Sequence, residues 1–237
     1  VRSPTPISPA WCAALLLALI AAPLALGRFG PVGDAALFHL PYQMLVGDFA
    51  RAGEFLLWNP WTNGGSPDGA EPQIGAFSPL AFAAGFVGGG STWSFTLLWL
   101  ATWCLSAAGC ARLAAHFGAP RLAAVAIALA WSTNGAFVGH AGHTCFVHAF
   151  AFLPWMVLGL ERAFERRGRG ALVSAAGAGA WWGLSALAGY PGLVVVCGLF
   201  LGAWVLVRMC ASTGERRVGA ARGAGLLAWA TFVALVV

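Results

Sequence analysis

A carboxylate a few residues beyond a long apolar run stands where chemistry at a membrane surface becomes possible. Asp34 is so placed, just after the uncharged run Trp11–Gly27. There it can hold a divalent metal such as Mg or Mn, or take a proton from an incoming hydroxyl. It can also cap a helix beginning at Ala35, and the roles are compatible. A second candidate is Leu57-Trp58-Asn59-Pro60-Trp61, followed by Asn63-Gly64-Gly65-Ser66-Pro67, a stretch built for turns. Trp58 and Trp61 are either anchors at the membrane interface or platforms that stack on a sugar or a lipid chain. On the second view Asn59 hydrogen-bonds a polar head group. A third candidate is the pair His140 and His143, with His148 further on. Their spacing can bring two imidazoles together for a metal, although Gly139 and Gly142 oppose a helix there. Contact with a phosphate or diphosphate is the functional alternative to plain loop histidines. Nothing else marks a haem site.

The elements that must position these residues follow from composition. The 237 residues are 59% hydrophobic and 9% charged, with a mean hydropathy of +0.78. Soluble domains carry about 25% charged residues because their surfaces face water. Uncharged runs of spanning length occur at Thr92–Ala111 and Leu122–Gly139, with Thr144–Leu160 broken only by His148. Gly170–Val207 holds no charge and is about twice as long as one crossing requires. It must fold back, and Gly189-Tyr190-Pro191-Gly192 supplies the turn. The first run is expected to be a retained helix rather than a cleaved signal. Gly223–Val237 is expected to be an incomplete span.

The reading is therefore an all-α, polytopic transmembrane bundle of about seven spans, one domain over residues 1–237. All 13 basic residues are Arg, and they fall in short connections, so a nucleic-acid footprint is not indicated. With the N-terminus cytoplasmic, only Arg28 and Arg51 lie outside, as the positive-inside rule requires. The six cysteines form no Cys-x-x-Cys pair and read as buried small hydrophobes. The run Glu161–Arg167 reads as a solvated inner flank that can meet anionic lipid head groups.

Residues 28–91 then form a long first extracytoplasmic loop with five of the eight acids, Asp34, Asp48, Glu54, Asp68 and Glu71. Phe38, Tyr42, Leu45 and Phe49 make a helical stripe, with Gln43, Asp48 and Arg51 on other faces. A helix lying in the interface fits this pattern, kinked or restarted at Pro41. The apolar piece Ile74–Gly90 is short, contains Pro79 and ends in three glycines, so it is expected to be re-entrant or interfacial rather than spanning.

Several pieces together resemble one family. Gly33-Asp34, Phe38…Pro41-Tyr42, Leu57-Trp58-Asn59-Pro60-Trp61 with Gly65-Ser66-Pro67, and Ser78-Pro79-Leu80 look like the first outer loop of YfhO-like membrane proteins. Gly139-His140-Ala141-Gly142-His143 with Leu153-Pro154-Trp155 resembles a later segment. Ala188-Gly189-Tyr190-Pro191-Gly192 resembles its Gly-His-Pro turn, with Tyr190 where His is common. That family is similar to GT-C glycosyltransferases. The resemblance implies sugar transfer from a polyprenyl-phosphate donor at the outer face of a bacterial cell membrane. It makes Asp34 the base or metal ligand, with Glu71 and His143 as secondary candidates. The competing classes are a transporter or flippase subunit, and a membrane scaffold without chemistry. Span centres nearly free of charge, with acids gathered in the outer loop, favour surface chemistry over transport.

Overall fold

Runs rich in Ala and Leu favour helix, and helix is what they form. The computed structural model describes residues 8–25, 33–211 and 219–237. Among these residues the regular structure is helical, without strands. Arg2, Arg28, Arg216 and Arg217, which enter the charge count above, lie outside the described residues.

α1, Pro9–Ile20, is opened by Ser8, whose hydroxyl accepts from the Trp11 N–H. It stops at Ala21 and a single turn follows, α2, Ala22–Ala25. Pro23 explains the break, since it has no N–H to offer the preceding turn. The 12 residues of α1 span about 18 Å, less than a bilayer core. A π-helical turn at Ala35–His39 leads into α3, Leu40–Ala52, which restarts at Pro41 as expected and ends at Gly53. α4, Pro79–Gly88, has ten residues, about 15 Å, too few to cross. Next come α5 (Thr92–His116), α6 (Arg121–Ser132), α7 (Gly135–Gly139), α8 (Thr144–Phe150) and α9 (Leu153–Glu165). α10 (Gly168–Leu187), α11 (Pro191–Ala211) and α12 (Ala220–Val236) complete the described chain.

Among the described residues, four segments are long and apolar enough to cross a membrane: Thr92–His116, Arg121–Gly139, Thr144–Glu165 and Pro191–Cys210. α10 has 20 residues, but its glycines, serines and tryptophans dilute its apolar character. α12, at 17 residues, is shorter. The long uncharged run folds back where expected. Gly189 takes φ +95°, a left-handed conformation open to glycine, and Pro191 starts α11.

α9 is the centre of the bundle. Its Leu153, Met156, Val157 and Leu160 are buried in a cluster with Ala175 and Ala178 of α10, Cys197 and Leu201 of α11, and Leu226 and Ala230 of α12. A second cluster joins α1, α5 and α6 through Ala13, Leu17, Ala107, Ala111 and Ala128. Small residues at both seams let helix backbones approach closely. Tryptophan indoles then bond across the seams. Trp103 donates to the Ser132 carbonyl, Trp131 to the Ser106 hydroxyl, Trp155 to the Leu105 carbonyl and Trp182 to the Val194 carbonyl. The outward side chains are large and apolar; Leu199 of α11 is 70% exposed. A surface of that kind suits lipid better than water.

The outer-loop elements form their own layer. α3 and α4 touch backbone to backbone, because a Cβ on Gly85 would stand 2.5 Å from the Gly47 Cα. Val46, Leu56, Ile74 and Leu98 fill the space beneath, with Phe38, Tyr42, Leu45 and Phe49 half-buried against them. The expected aromatic stripe is therefore real, but it faces protein. Gln43, expected on a polar face, is buried.

The two ends of the bundle differ in charge. At one end the last turns of α5, α9 and α11 and the first turn of α12 meet: His116 contacts Glu165 at 3.4 Å, Arg208 contacts Glu161 at 3.0 Å, and Arg222 donates to the Ala163 carbonyl. Every described arginine except Arg51 belongs to this end. At the other end Gly189 packs on the Pro72 backbone, Gly75 approaches the Ala188 carbonyl, and Asp34 meets His143. The five loop acids lie on this side.

Candidate functional site

Asp34 occupies the position just before the π turn, yet its side chain makes no capping hydrogen bond. The capping role expected from its place in the sequence is not what the structure gives it. Its Oδ2 instead lies 2.9 Å from Nε2 of His143. The two residues are 109 positions apart in sequence and come from different elements, so the fold itself makes the pair. Both are partly open, with side chains 60% and 45% exposed, so a substrate can reach them.

The turn between α7 and α8 presents the imidazoles. Asn134 opens α7 by accepting from the N–H groups of Ala136 and Phe137, and α7 ends at Gly139. His143 then stands at the start of α8. His140 stacks on Phe146 at 4.3 Å between ring centroids, and lies 5.7 Å from the His143 ring. Tyr190 meets the Phe146 ring edge-on at 5.4 Å, bringing the α10–α11 turn to the same place.

Below the pair lies a group that sequence reasoning missed. The π turn carries His39 inward, 6% exposed, with its Nε2 3.9 Å from the Cys145 sulfur. Burial lowers the His39 pKa, the nearby His143 lowers it further, and Asp34 acts in the opposite direction. His39, Gln43, Gln73, Ser78, Thr144 and His148 line a cavity of about 20 Å³, the size that holds one water. The Gln43 amide nitrogen and His148 Nε2 are buried without a partner among the described residues. A bound water would satisfy both. The signal that could have found His39 is its place two residues before Pro41, where the helix has to restart; π turns recur at functional sites.

The remaining candidates take other tasks. Asn59 is 3% exposed and spends both amide protons inside its loop, on Thr62 Oγ1 at 2.8 Å and Asp68 Oδ2 at 2.7 Å. Its Oδ1 accepts from the Trp61 N–H at 3.0 Å, and Ser66 also donates to Asp68. The head-group contact expected of Asn59 is replaced by this internal network, which shapes the turn that exposes the two tryptophans. Trp58 is 55% and Trp61 72% exposed, free to meet an interface or a ligand. Glu71 accepts from the Gln73 N–H at 3.1 Å and so caps the short turn Pro72–Ile74. This leaves it exposed beside the cavity wall.

Of this pair, Asp34 alone offers the expected Mg or Mn a carboxylate, and such an ion would take its other ligands from substrate phosphate and water. Among the described residues no group of three or more His, Cys, Asp or Glu side chains assembles to hold a cation. A hard divalent ion also prefers oxygen ligands, whereas one Asp34 oxygen is engaged by a ring nitrogen. What the pair can do is acid–base chemistry: the carboxylate orients the imidazole to take or give a proton.

The lowered His39 pKa has a testable sign. The folded chain binds this proton less readily than the unfolded chain does. Stability from neutral His39 is therefore complete above the ordinary imidazole value of about 6.5, and is lost as pH falls through the lower folded-state value. The thermal unfolding temperature of the purified protein is expected to fall on acidification below about pH 6.5. His39→Gln should flatten that dependence; an undiminished acid loss in the variant would remove His39 as its source.

In comparisons with known proteins, no family model, no curated protein and no solved structure matches this chain.

Proposed function

We propose that this chain belongs to a bacterial cell-membrane glycosyltransferase of GT-C type, moving a sugar from a polyprenyl-phosphate donor to an extracytoplasmic acceptor. In this reading the N-terminus is cytoplasmic, about seven spans cross the bilayer, the first made by α1 continued through α2, and residues 28–91 face outward. The arginine-rich end then faces the cytosol, as the positive-inside rule asks. The observation that carries the reading is the partly open Asp34–His143 pair at the acidic end of an apolar helical bundle.

The chemistry is simple. An acceptor hydroxyl loses its proton to His143, whose positive charge Asp34 balances. The freed oxygen attacks the anomeric carbon as the bond from that carbon to the phosphate oxygen breaks, and polyprenyl phosphate departs. His140, on the same turn, is available to donate a hydrogen bond to the leaving phosphate. Trp58 and Trp61 offer faces for the sugar or the lipid chain. Glu71 is a second acid at the rim.

Transport is the second reading, favoured by one observation. The cavity of His39, Gln43 and His148 reaches into the segment Thr144–Glu165, and ionisable groups at membrane depth are common on transport paths. Membranes containing the protein, incubated with labelled polyprenyl-phosphate sugars, separate the two. Transfer to an outer-face acceptor is expected. Lack of transfer from any donor in the panel would refute the enzyme reading and favour transport.

A further inference from the structure

The arginine-rich end holds a furrow that the sugar-transfer chemistry does not use. It runs between α9 and α10, with a volume of about 200 Å³. Trp155 and Trp181 stack at 5.4 Å and form its inner end. Its floor is open because Gly177 has no side chain and nothing stands within 4 Å of where its Cβ would be. Val173, 60% exposed, forms part of an apolar wall. Arg162 and Arg166 stand at the mouth, roughly 10 and 16 Å along the chain from Trp155. Arg112 of α5 lies 5.2 Å over the Trp155 ring and adds a third positive charge.

The acids of this region are already committed. Glu161 is 1% exposed, ion-paired with Arg208 and accepting from Trp204. Glu165 faces His116. Among the described residues no carboxylate pairs with Arg112, Arg162 or Arg166, and Arg166 donates only to the neutral Ser174 hydroxyl, at 2.9 Å. An apolar slot thus opens beneath unneutralised guanidinium groups, at the level where a membrane changes from acyl chain to head group.

We propose that this furrow binds an anionic phospholipid, its phosphate held by Arg162 and Arg166 and one acyl chain laid along Gly177 towards Trp155. Arginine forks match phosphate oxygens, and basic pockets between helices on the cytoplasmic side recognise such head groups. The inference rests on the membrane reading of Thr144–Glu165 but not on sugar transfer, so its test needs no catalytic activity.

Native mass spectrometry of the detergent-purified protein, offered equal phosphatidylglycerol and phosphatidylcholine, reads the preference directly. Phosphatidylglycerol should be retained about tenfold better. The double variant R162Q/R166Q should lose the preference, while Gly177→Leu, which fills the slot and leaves the charges, should weaken retention several-fold. Equal retention of the two lipids by the unaltered protein would overturn the proposal, as would an unchanged preference in R162Q/R166Q. If that variant fails to fold, undiminished phosphatidylglycerol binding by Gly177→Leu overturns it instead. Displacement of the lipid by millimolar inorganic phosphate would also overturn it, because the site would then be an ion site alone.

Discussion

Asp34→Asn and His143→Gln are each expected to lower transfer about a hundredfold or more, mostly in kcat. The reason is the 2.9 Å contact between them. Removing His143 takes away the group that accepts the proton. Removing the Asp34 charge leaves an imidazole that is neither oriented nor balanced when it becomes cationic. Because the two act as one unit, the double variant should be little worse than the poorer single one. Their partial exposure means that stability should change by only about 0–1 kcal/mol, as for other exposed ion pairs. Steady-state rates and thermal unfolding on the same preparations separate a lost base from a lost fold. Wild-type rates in either variant would take the pair out of the mechanism.

The largest effect on stability is expected at the opposite end of the bundle. Glu161 is buried on α9, where it is ion-paired with Arg208 Nε at 3.0 Å and accepts from the Trp204 indole at 2.8 Å. Glu161→Ala removes the carboxylate, taking the counter-charge from Arg208 and the acceptor from Trp204, both on α11. Breaking a buried pair from one side costs about 3–5 kcal/mol, far more than the net worth of the intact pair. Glu161→Gln should be milder, since its amide oxygen can still accept from Trp204. Denaturant or thermal unfolding in detergent measures both. A loss below about 1 kcal/mol for the alanine variant would mean that this contact does not tie α9 to α11.

The helices were legible because their causes are local. Charge-free runs marked α5, α6 and α11, Gly189 with Pro191 marked the fold-back, and Pro41 marked the start of α3. Pro23 carried the break after α1 just as openly, though the whole run Trp11–Gly27 reads as one apolar helix. What stayed hidden depends on contacts distant in sequence. Asp34 and His143 were each visible as candidates, but their pairing arises only when α8 packs beside the first loop. Polarity placed Gln43 outside; the fold turns it into a cavity that can hold a water. Asn59 looked like a ligand contact because its type allows one, and only its neighbours Thr62 and Asp68 reveal that its protons are already used.

The contact of α3 with α4 bears on how this chain can diverge over time. At Gly47 and Gly85 any larger residue would force the two backbones apart, whatever its chemistry. Selection should therefore hold these glycines as firmly as it holds any reacting group, while exposed Trp58 and Trp61 can drift with the ligand. A remote cousin of this chain would be recognised by the spacing of its smallest residues before its acids or histidines.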